Sequence, residues 1–369
     1  MVEHKTQKTL HYPVVVDSEI KLYNHPALGR LHQALTKRLS FPNPAWKKKH
    51  THGLSTHNTP KILQAFTRGP EGALFVARGA WKTVRDIANQ HNVTLQWEAR
   101  TRTPEDCPAQ FAFDTPLRPY QQHAINAIRK SRSGVIVIPT GGGKTMVAMA
   151  LAATLQTRTL FIVHTRELLR QTQQSVERFL HTQPGVAGGG KWAPKDFTIA
   201  LVQTLCKRDL EGFADQFGLV IVDEAHHAPA QSYRELLRSF PARYRVALTA
   251  TPFRKDGLHN LLWMQFGDIL YQVPKHALER HGRLMRPTFH PILTEFRYSF
   301  HNDFSALISA LCRDPERHRH VIRTITQTHR PRGCSLILTE RVDHAKQLFR
   351  SLQAQRMPVV LLHGKCSNA

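Results

Sequence analysis

The run Val135-Ile136-Val137-Ile138-Pro139-Thr140-Gly141-Gly142-Gly143-Lys144-Thr145 constrains this chain more than any other stretch. Val135 to Ile138 are all β-branched and apolar, the composition of a strand buried on both faces. Residues 146–155 read as a helix. A Gly-rich loop between strand and helix, closed by Lys and Thr, forms a phosphate cradle. Its glycines let backbone N–H groups close on phosphate oxygens, and the helix N-terminus adds the positive end of its dipole. Thr140, Gly141, Gly142 and Gly143 would wall the cradle, Lys144 would reach the β- and γ-phosphates, and the Thr145 hydroxyl would hold Mg2+. The general pattern has Gly where this chain has Ile138, and an ordinary Gly-rich turn is the competing reading. A cradle of this kind implies an α/β fold with a doubly wound parallel sheet.

The rest of the chain must be compatible with that sheet. Its 369 residues are enough for two or three domains. We expect an α+β accessory domain over residues 1–110, a nucleotide-binding domain over 111–283 and the start of a second α/β lobe over 284–369. The formal charge of +24, from 51 Lys and Arg against 27 Asp and Glu, points to a polyanionic partner, with nucleic acid first. A generally basic surface serving solubility is the alternative. The five cysteines are scattered and never paired as Cys-x-x-Cys, which argues against zinc and against a disulfide framework. No metal beyond Mg2+ is expected. No apolar run is long enough to span a membrane, and no apolar signal region follows the first residues. A cytoplasmic protein is the default expectation.

In the first region, Leu10–Val16, Ala73–Val76 and Val93–Glu98 read as strands and Ala80–Gln90 as a helix. Phe41 to His50 includes Trp46, Lys47, Lys48 and Lys49. Lysines beside an aromatic ring suit phosphate contact with base stacking, or else form a solvated basic loop. Residues 101–115 read as a polar linker.

Beyond the linker, Leu117 to Gln122 opens a helix. Gln121 could read adenine, because its amide both donates and accepts. The strand Thr159–His164 leads to Arg166, either a phosphate contact for a nucleic-acid strand or a surface helix-start residue. Residues 185–192 look like a second phosphate loop, but no buried strand leads in, so a flexible turn is expected. The strand Thr198–Val202 precedes Gln203 and Thr204, candidate contacts to a nucleic-acid backbone. The buried strand Leu219–Val222 ends in Asp223-Glu224-Ala225-His226. Asp223 supplies a hard oxygen for Mg2+, and Glu224 can orient an attacking water as base. His226 would couple the nucleotide site to its neighbours, or is simply a helix-start histidine. After the strand Tyr244–Leu248, the hydroxyls of Thr249 and Thr251 could sense the γ-phosphate through Asp223 or His226. Phe253 to Gly257 reads only as an exposed charged loop. Further on, Phe304–Leu311, Arg317–Thr328 and Arg341–Gln353 read as helices, and Ser335–Thr339 and Pro358–Leu362 as strands.

Taken in order, these stretches resemble the superfamily 2 helicases and translocases over residues 115–369. Leu117–Gln122 is similar to the adenine-side motif, where Arg118 and Gln121 fall. Pro139–Thr145 matches motif I, Val163–Leu169 motif Ia, Ile199–Thr204 motif Ib, Asp223–His226 motif II in its DEAH form, Leu248–Pro252 motif III and Ser335–Glu340 motif IV. The wording of motif III with Arg254-Lys255-Asp256 after it is closest to one branch. That branch holds the repair helicase of transcription factor IIH, phage recombination helicases and restriction-enzyme motor subunits. In the repair helicases an Arg-Glu-Asp triplet near motif III is functional; Lys255 replaces the Glu here. The resemblance implies RecA-like lobes, ATP with Mg2+, DNA as the track and coupling roles for Thr249, Thr251 and Arg254. It also implies a DNA-recognition role for residues 1–110. Motifs V and VI, with the arginine finger of motif VI, are not found before Ala369. The second lobe is therefore expected to be incomplete, with an unpaired sheet edge; the chain is then either an ATP-dependent DNA helicase or translocase in its own right, or one that binds ATP and DNA with little turnover unless a partner chain completes the lobe. A nuclease or modification subunit is the other partner the branch implies.

Overall fold

The computed structural model describes residues 10–225, 230–251, 259–274, 278, 288–300, 303–329 and 333–364. His226 and Arg254 lie outside the described residues. Two compact units form, residues 1–286 and 287–369.

In the first unit, the N-terminal elements are β1 (Leu10–Val16), β2 (Glu19–Leu22), α1 (Gly29–Arg38), β3 (Ser40–Pro42), α2 (Pro44–Thr51), β4 (Ile62–Gln64), β5 (Phe66–Arg68), β6 (Leu74–Ala77), α3 (Trp81–Gln90) and β7 (Val93–Ala99). Five of the strands form a sheet in the order β5-β6-β2-β1-β7. Only the β1–β7 pair is parallel. Leu28, Leu31 and Leu35 around α1 and Val84 and Ile87 of α3 share a core with Val14, Ile20 and Val76. The expected strands and helix at 10–16, 73–76, 80–90 and 93–98 form within a residue or two of their expected bounds. The basic stretch at 41–50 is largely helical rather than a loop. Asn43 caps α2 by accepting from the Ala45 N–H, and Pro44 takes the first turn, where its missing N–H costs nothing.

Residues 101–115 are not the free linker that their polarity implied. Cys107, Ala109 and Phe111 are buried against the next domain. The Phe111 N–H donates to the Gln156 side chain, and the Gln156 amide donates back to the Phe111 carbonyl. Alternate apolar residues at 107, 109 and 111 drive this docking.

The nucleotide-binding domain follows as α4 (Pro119–Ser131), β8 (Ser133–Val137), α5 (Lys144–Leu155), β9 (Thr159–Val163), α6 (Arg166–Leu180), β10 (Gly185–Gly188), β11 (Lys191–Ala193), β12 (Phe197–Leu201), α7 (Val202–Leu205), β13 (Leu219–Asp223), α8 (Ala230–Leu237), β14 (Tyr244–Thr249), α9 (His259–Phe266) and β15 (Ile269–Gln272). It is a RecA-like α/β fold. Its eight strands run β11-β10-β12-β9-β13-β14-β8-β15, parallel except for β11. β9, β12 and β13 are buried at every residue, because helices cover both faces. α5 is apolar almost all round and is buried from Val147 to Ala152. The order β13-β14-β8 sets three carboxyl ends side by side, which is where open α/β sheets hold their ligands.

The second unit contains α10 (Phe304–Arg313), α11 (Pro315–Thr328) and α12 (Val342–Ala354). Ile322, Leu348 and Leu352 form its small core, with Met357 and Val359 packed alongside. The strands expected at 335–339 and 358–362 do not form. A strand needs a neighbouring strand to complete its ladder, and neither segment is part of a sheet among the described residues. Leu336, Leu338, Val360 and Leu362 are 80%, 82%, 85% and 78% exposed. Among the described residues no helix is long and apolar enough to cross a membrane.

Candidate nucleotide and nucleic-acid sites

The loop after β8 has the backbone of a cradle. Gly141 and Gly143 sit at φ of 80° and 84°, a region that disfavours side chains. A Cβ on Gly143 would come within 2.6 Å of the Gln121 amide nitrogen. Gly143 is the N-cap of α5, so Lys144 and Thr145 occupy its first turn.

The adenine-side residues are tied to this loop. Gln121 is buried, accepts from the Arg118 N–H at 3.0 Å and donates to the Gly142 carbonyl at 3.3 Å. The Tyr120 hydroxyl donates to the same carbonyl at 3.0 Å and accepts from Arg118. Both ends of the Gln121 amide, expected to read a base, thus carry a contact within the protein. Tyr120 was not anticipated, although its place beside Gln121 was a signal.

Lys144 Nζ lies 2.8 Å from Glu224 Oε1. Glu224 has a left-handed backbone, φ 46°, uncommon for a residue with a side chain. Its N–H donates to Asp223, and its second carboxylate oxygen accepts from the Ala250 N–H at 3.5 Å. The ends of β8, β13 and β14 therefore meet through one carboxylate. Burial, with the Glu224 charge adding to it, pushes the Asp223 carboxyl up to about 6, and Lys144 opposes the rise. A buried carboxylate at the end of β13 has the chemistry of a hard divalent cation's ligand set, which takes oxygen donors. The Thr249 hydroxyl donates to the Thr251 carbonyl and accepts from the Thr251 N–H, closing the turn after β14. The Ala250 N–H carries a contact of this turn with the acidic pair.

A second surface lies across the carboxyl ends of β9 and β12. Thr165 caps α6, which begins with exposed Arg166. Gln203 and Thr204 sit on α7, and Gln203 donates to the His164 carbonyl at 2.9 Å. These residues share an open depression with Lys207, Arg208 and the turn Gly189–Gly190. That turn joins β10 to β11, so residues 185–192 form a hairpin rather than a flexible turn. Their sequence concealed this because Gly185 to Gly188 is short and buried. Arg208 lies over the Trp192 ring at 4.4 Å. Lys207 and Arg208 were also missed; only the charge excess hinted at them.

Trp46, Lys47, Lys48 and Lys49 lie apart from this depression, on α2. The Trp46 ring stacks on His50 at 4.6 Å, and Lys61 lies 5.3 Å from its centroid. Its faces are engaged within the protein, so base stacking there would have to displace them. Lys49 donates to Thr59, while Lys47 and Lys48 are exposed.

Residues 114–254 match the family model described as the res subunit of type III restriction enzymes. Over these residues the chain is similar to superfamily 2 helicases of the branch that includes XPB-like helicases and restriction motor subunits. It is similar to DNA 3'-5' translocase XPB2 of Sulfurisphaera tokodaii, 38% identical over 156 residues, 42% of this chain and 35% of the relative. It is also similar to a protein named putative DNA 3'-5' helicase Rad25 from Halobacterium salinarum, 37% identical over 48% of this chain and 31% of that one. The chain thus spans about a third of the length of these two relatives. Among solved structures, the UvsW helicase of bacteriophage T4 shares the fold, with a TM-score of 0.53 and 16% identity over 70% of this chain and 99% of that one.

Proposed function

We propose that this chain is an ATP-driven motor acting on DNA, a helicase or translocase serving repair, recombination or restriction. The observation that carries the reading is the meeting of Lys144, Glu224 and the Ala250 N–H at three adjacent strand ends. Lys144 and the loop N–H groups take the phosphates of ATP, and Lys144 exchanges its contact with Glu224 for one with phosphate. Glu224 is then free to orient water and accept its proton. Mg2+, held by Thr145 and Asp223, would neutralise charge between the β- and γ-phosphates. His226 and Arg254 are assigned coupling roles from the family pattern alone. Arg166, Gln203 and Thr204, with Lys207 and Arg208 beside them, take the phosphates of one strand, and Lys47, Lys48 and Lys49 take a second stretch of DNA. Residues 1–110 then serve as a DNA-recognition domain, 111–283 as the first RecA-like lobe and 284–369 as part of the second.

DNA-stimulated ATP hydrolysis by the purified chain tests this, with Glu224→Gln expected to lower turnover about 10²-fold or more. Equal rates in the two proteins would sink the assignment of Glu224. Replacing Lys47, Lys48 and Lys49 together with Ala should reduce the slope of log K against log salt by up to about 3, near 0.9 for each phosphate no longer neutralised. An unchanged slope would return α2 to a solvated surface.

A second reading has its own observation. The exposed Leu336, Leu338, Val360 and Leu362 favour a chain that binds ATP and DNA but turns over little until a partner chain completes the second lobe. Nucleotide and DNA binding without hydrolysis would select it.

A further inference from the structure

The N-terminal domain grips the nucleotide-binding domain through buried arginines. Arg245, at the start of β14, is fully buried. Its Nη2 donates to the carbonyls of Ser18, Leu237 and Phe240 at 3.1, 3.0 and 2.8 Å. One nitrogen thus joins the β1–β2 turn to the end of α8 and the segment beyond it. Arg78, also buried, donates to Asp17 and Ala242 through Nη1 and to Arg243 through Nη2. Glu19 accepts from Arg238 at 2.8 Å, and Arg234 of α8 donates to the Gln64 carbonyl. Buried cations held by fixed carbonyls and a nearby carboxylate do not separate cheaply, since removing a partner leaves charge unpaired in a dry interior.

The docking is also steric. A Cβ on Gly79 would fall on the Gly267 backbone nitrogen and within 2.6 Å of the Trp263 and Met264 carbonyl oxygens. These belong to the end of α9 and the turn into β15, which pairs with β8. Ser133 of β8 donates to the Phe266 carbonyl in the same turn.

The elements held this way lead to the nucleotide site. β14 ends at Thr249, next to the Ala250 N–H that meets Glu224, and β8 ends at the phosphate loop. α8 is the first described element after Asp223 and Glu224.

We propose that the β1–β2 turn, clamped by Arg78, Arg245 and the Glu19–Arg238 pair, is a positioning element of the nucleotide site. It fixes α8 against β14 and thereby sets Glu224 against Ala250. The site's role in hydrolysis rests on the function proposed above; the placement does not. DNA held on α2 then pulls on a body fastened to α8 and β14 by these contacts.

The test compares the full chain with Glu19→Gln, Glu19→Asp and Gly79→Val. Hydrogen exchange of the ligand-free proteins is followed in peptides covering 219–225 and 244–251. Glu19→Gln should speed exchange in both peptides about tenfold, and Glu19→Asp should restore part of the protection. Gly79→Val should do at least as much; if it does not fold, Glu19→Gln decides. In turnover assays, kcat should fall about tenfold with KM for ATP within about threefold, because geometry is disturbed while the phosphate cradle stays whole. Exchange confined to the domain seam at 15–20 and 234–240, with 219–225 and 247–251 as slow as in the parent, would overturn the proposal. An inactive parent chain would count against the proposed function, and the exchange pattern would still decide the positioning role.

Discussion

β13 and residues 334–339 are both short apolar runs that lead toward a helix, and they end differently. β13 lies between β9 and β14, with all five residues buried. Residues 334–339 have no paired strand among the described residues, and Leu336 and Leu338 stand largely in solvent. Both runs are rich in apolar residues, though β13 has more β-branched ones; what differs most is the neighbours. Burying a leucine side chain is worth about 1.5–3 kcal/mol, but only when something covers it. An isolated strand also leaves its N–H and C=O groups to water, so it gains nothing from being extended.

The sharpest way to break this contrast is truncation on each side of it. Phe161→Ala, beside β13 in the sheet, should cost about 3–5 kcal/mol in urea titrations. Leu338→Ala should change stability by no more than about 0.5 kcal/mol. A large loss from Leu338→Ala would mean that its segment is covered in solution, and the contrast would fall. Next in size is Lys144→Ala. It removes a charge-assisted contact worth about 1.5–3 kcal/mol, so the Kd for a fluorescent ADP analogue should rise roughly 10- to 150-fold. DNA affinity should stay within about twofold, since Lys144 is not among the residues lining the basic depression. Unchanged nucleotide affinity would remove the cradle from the buried half of the comparison.

The smallest effect belongs to the second unit and to pH. Burial lowers the pKa of both His318 and His344, with Arg317 adding to the effect at His344. His344 pairs with the Thr339 hydroxyl and His318 with the Ser351 hydroxyl. The folded unit resists protons that the unfolded chain accepts below the ordinary histidine value of 6.5. Stability is therefore whole above that pH and is lost as pH falls through it. The urea midpoint seen by circular dichroism should be lower at pH 5.5 than at 7.5, and His344→Gln should narrow the difference. A midpoint that rises on acidification would reverse the assignment.

The legible parts of the sequence were those where local chemistry and tertiary role coincide. Val135 to Thr145 spells strand, loop and helix in one run, and the structure forms all three. Asp223 and Glu224 follow an apolar run that could be little else than a buried strand. The left-handed backbone of Glu224 and its link to Ala250 could not be read, because both depend on which strands lie side by side. Gln121 is a different case. Its amide suits a base, yet Arg118 and Gly142 occupy it, and those partners are fixed only once α4 packs beside the loop. The hairpin at 185–193 and the docked strap at 101–115 were hidden by glycine and polar content. Their burial comes from distant residues, Thr198, Ile199 and Ala200 for the hairpin and Gln156 for the strap. In the second unit the apolar runs at 335–339 and 358–362 suggested strands that do not form, because pattern alone does not supply a neighbouring strand.

The two margins of the large sheet are built unlike its middle. One ends in β11, three residues long and antiparallel; the other ends in β15, four residues with a register shift against β8. Short or irregular borders are poor templates for a foreign strand. The sheet is thereby insulated against zipping to other chains at high concentration. The apolar side chains left in solvent lie elsewhere, Phe289, Leu293, Leu336, Leu338, Val360 and Leu362 among them, far along the chain from Asp223 and Glu224.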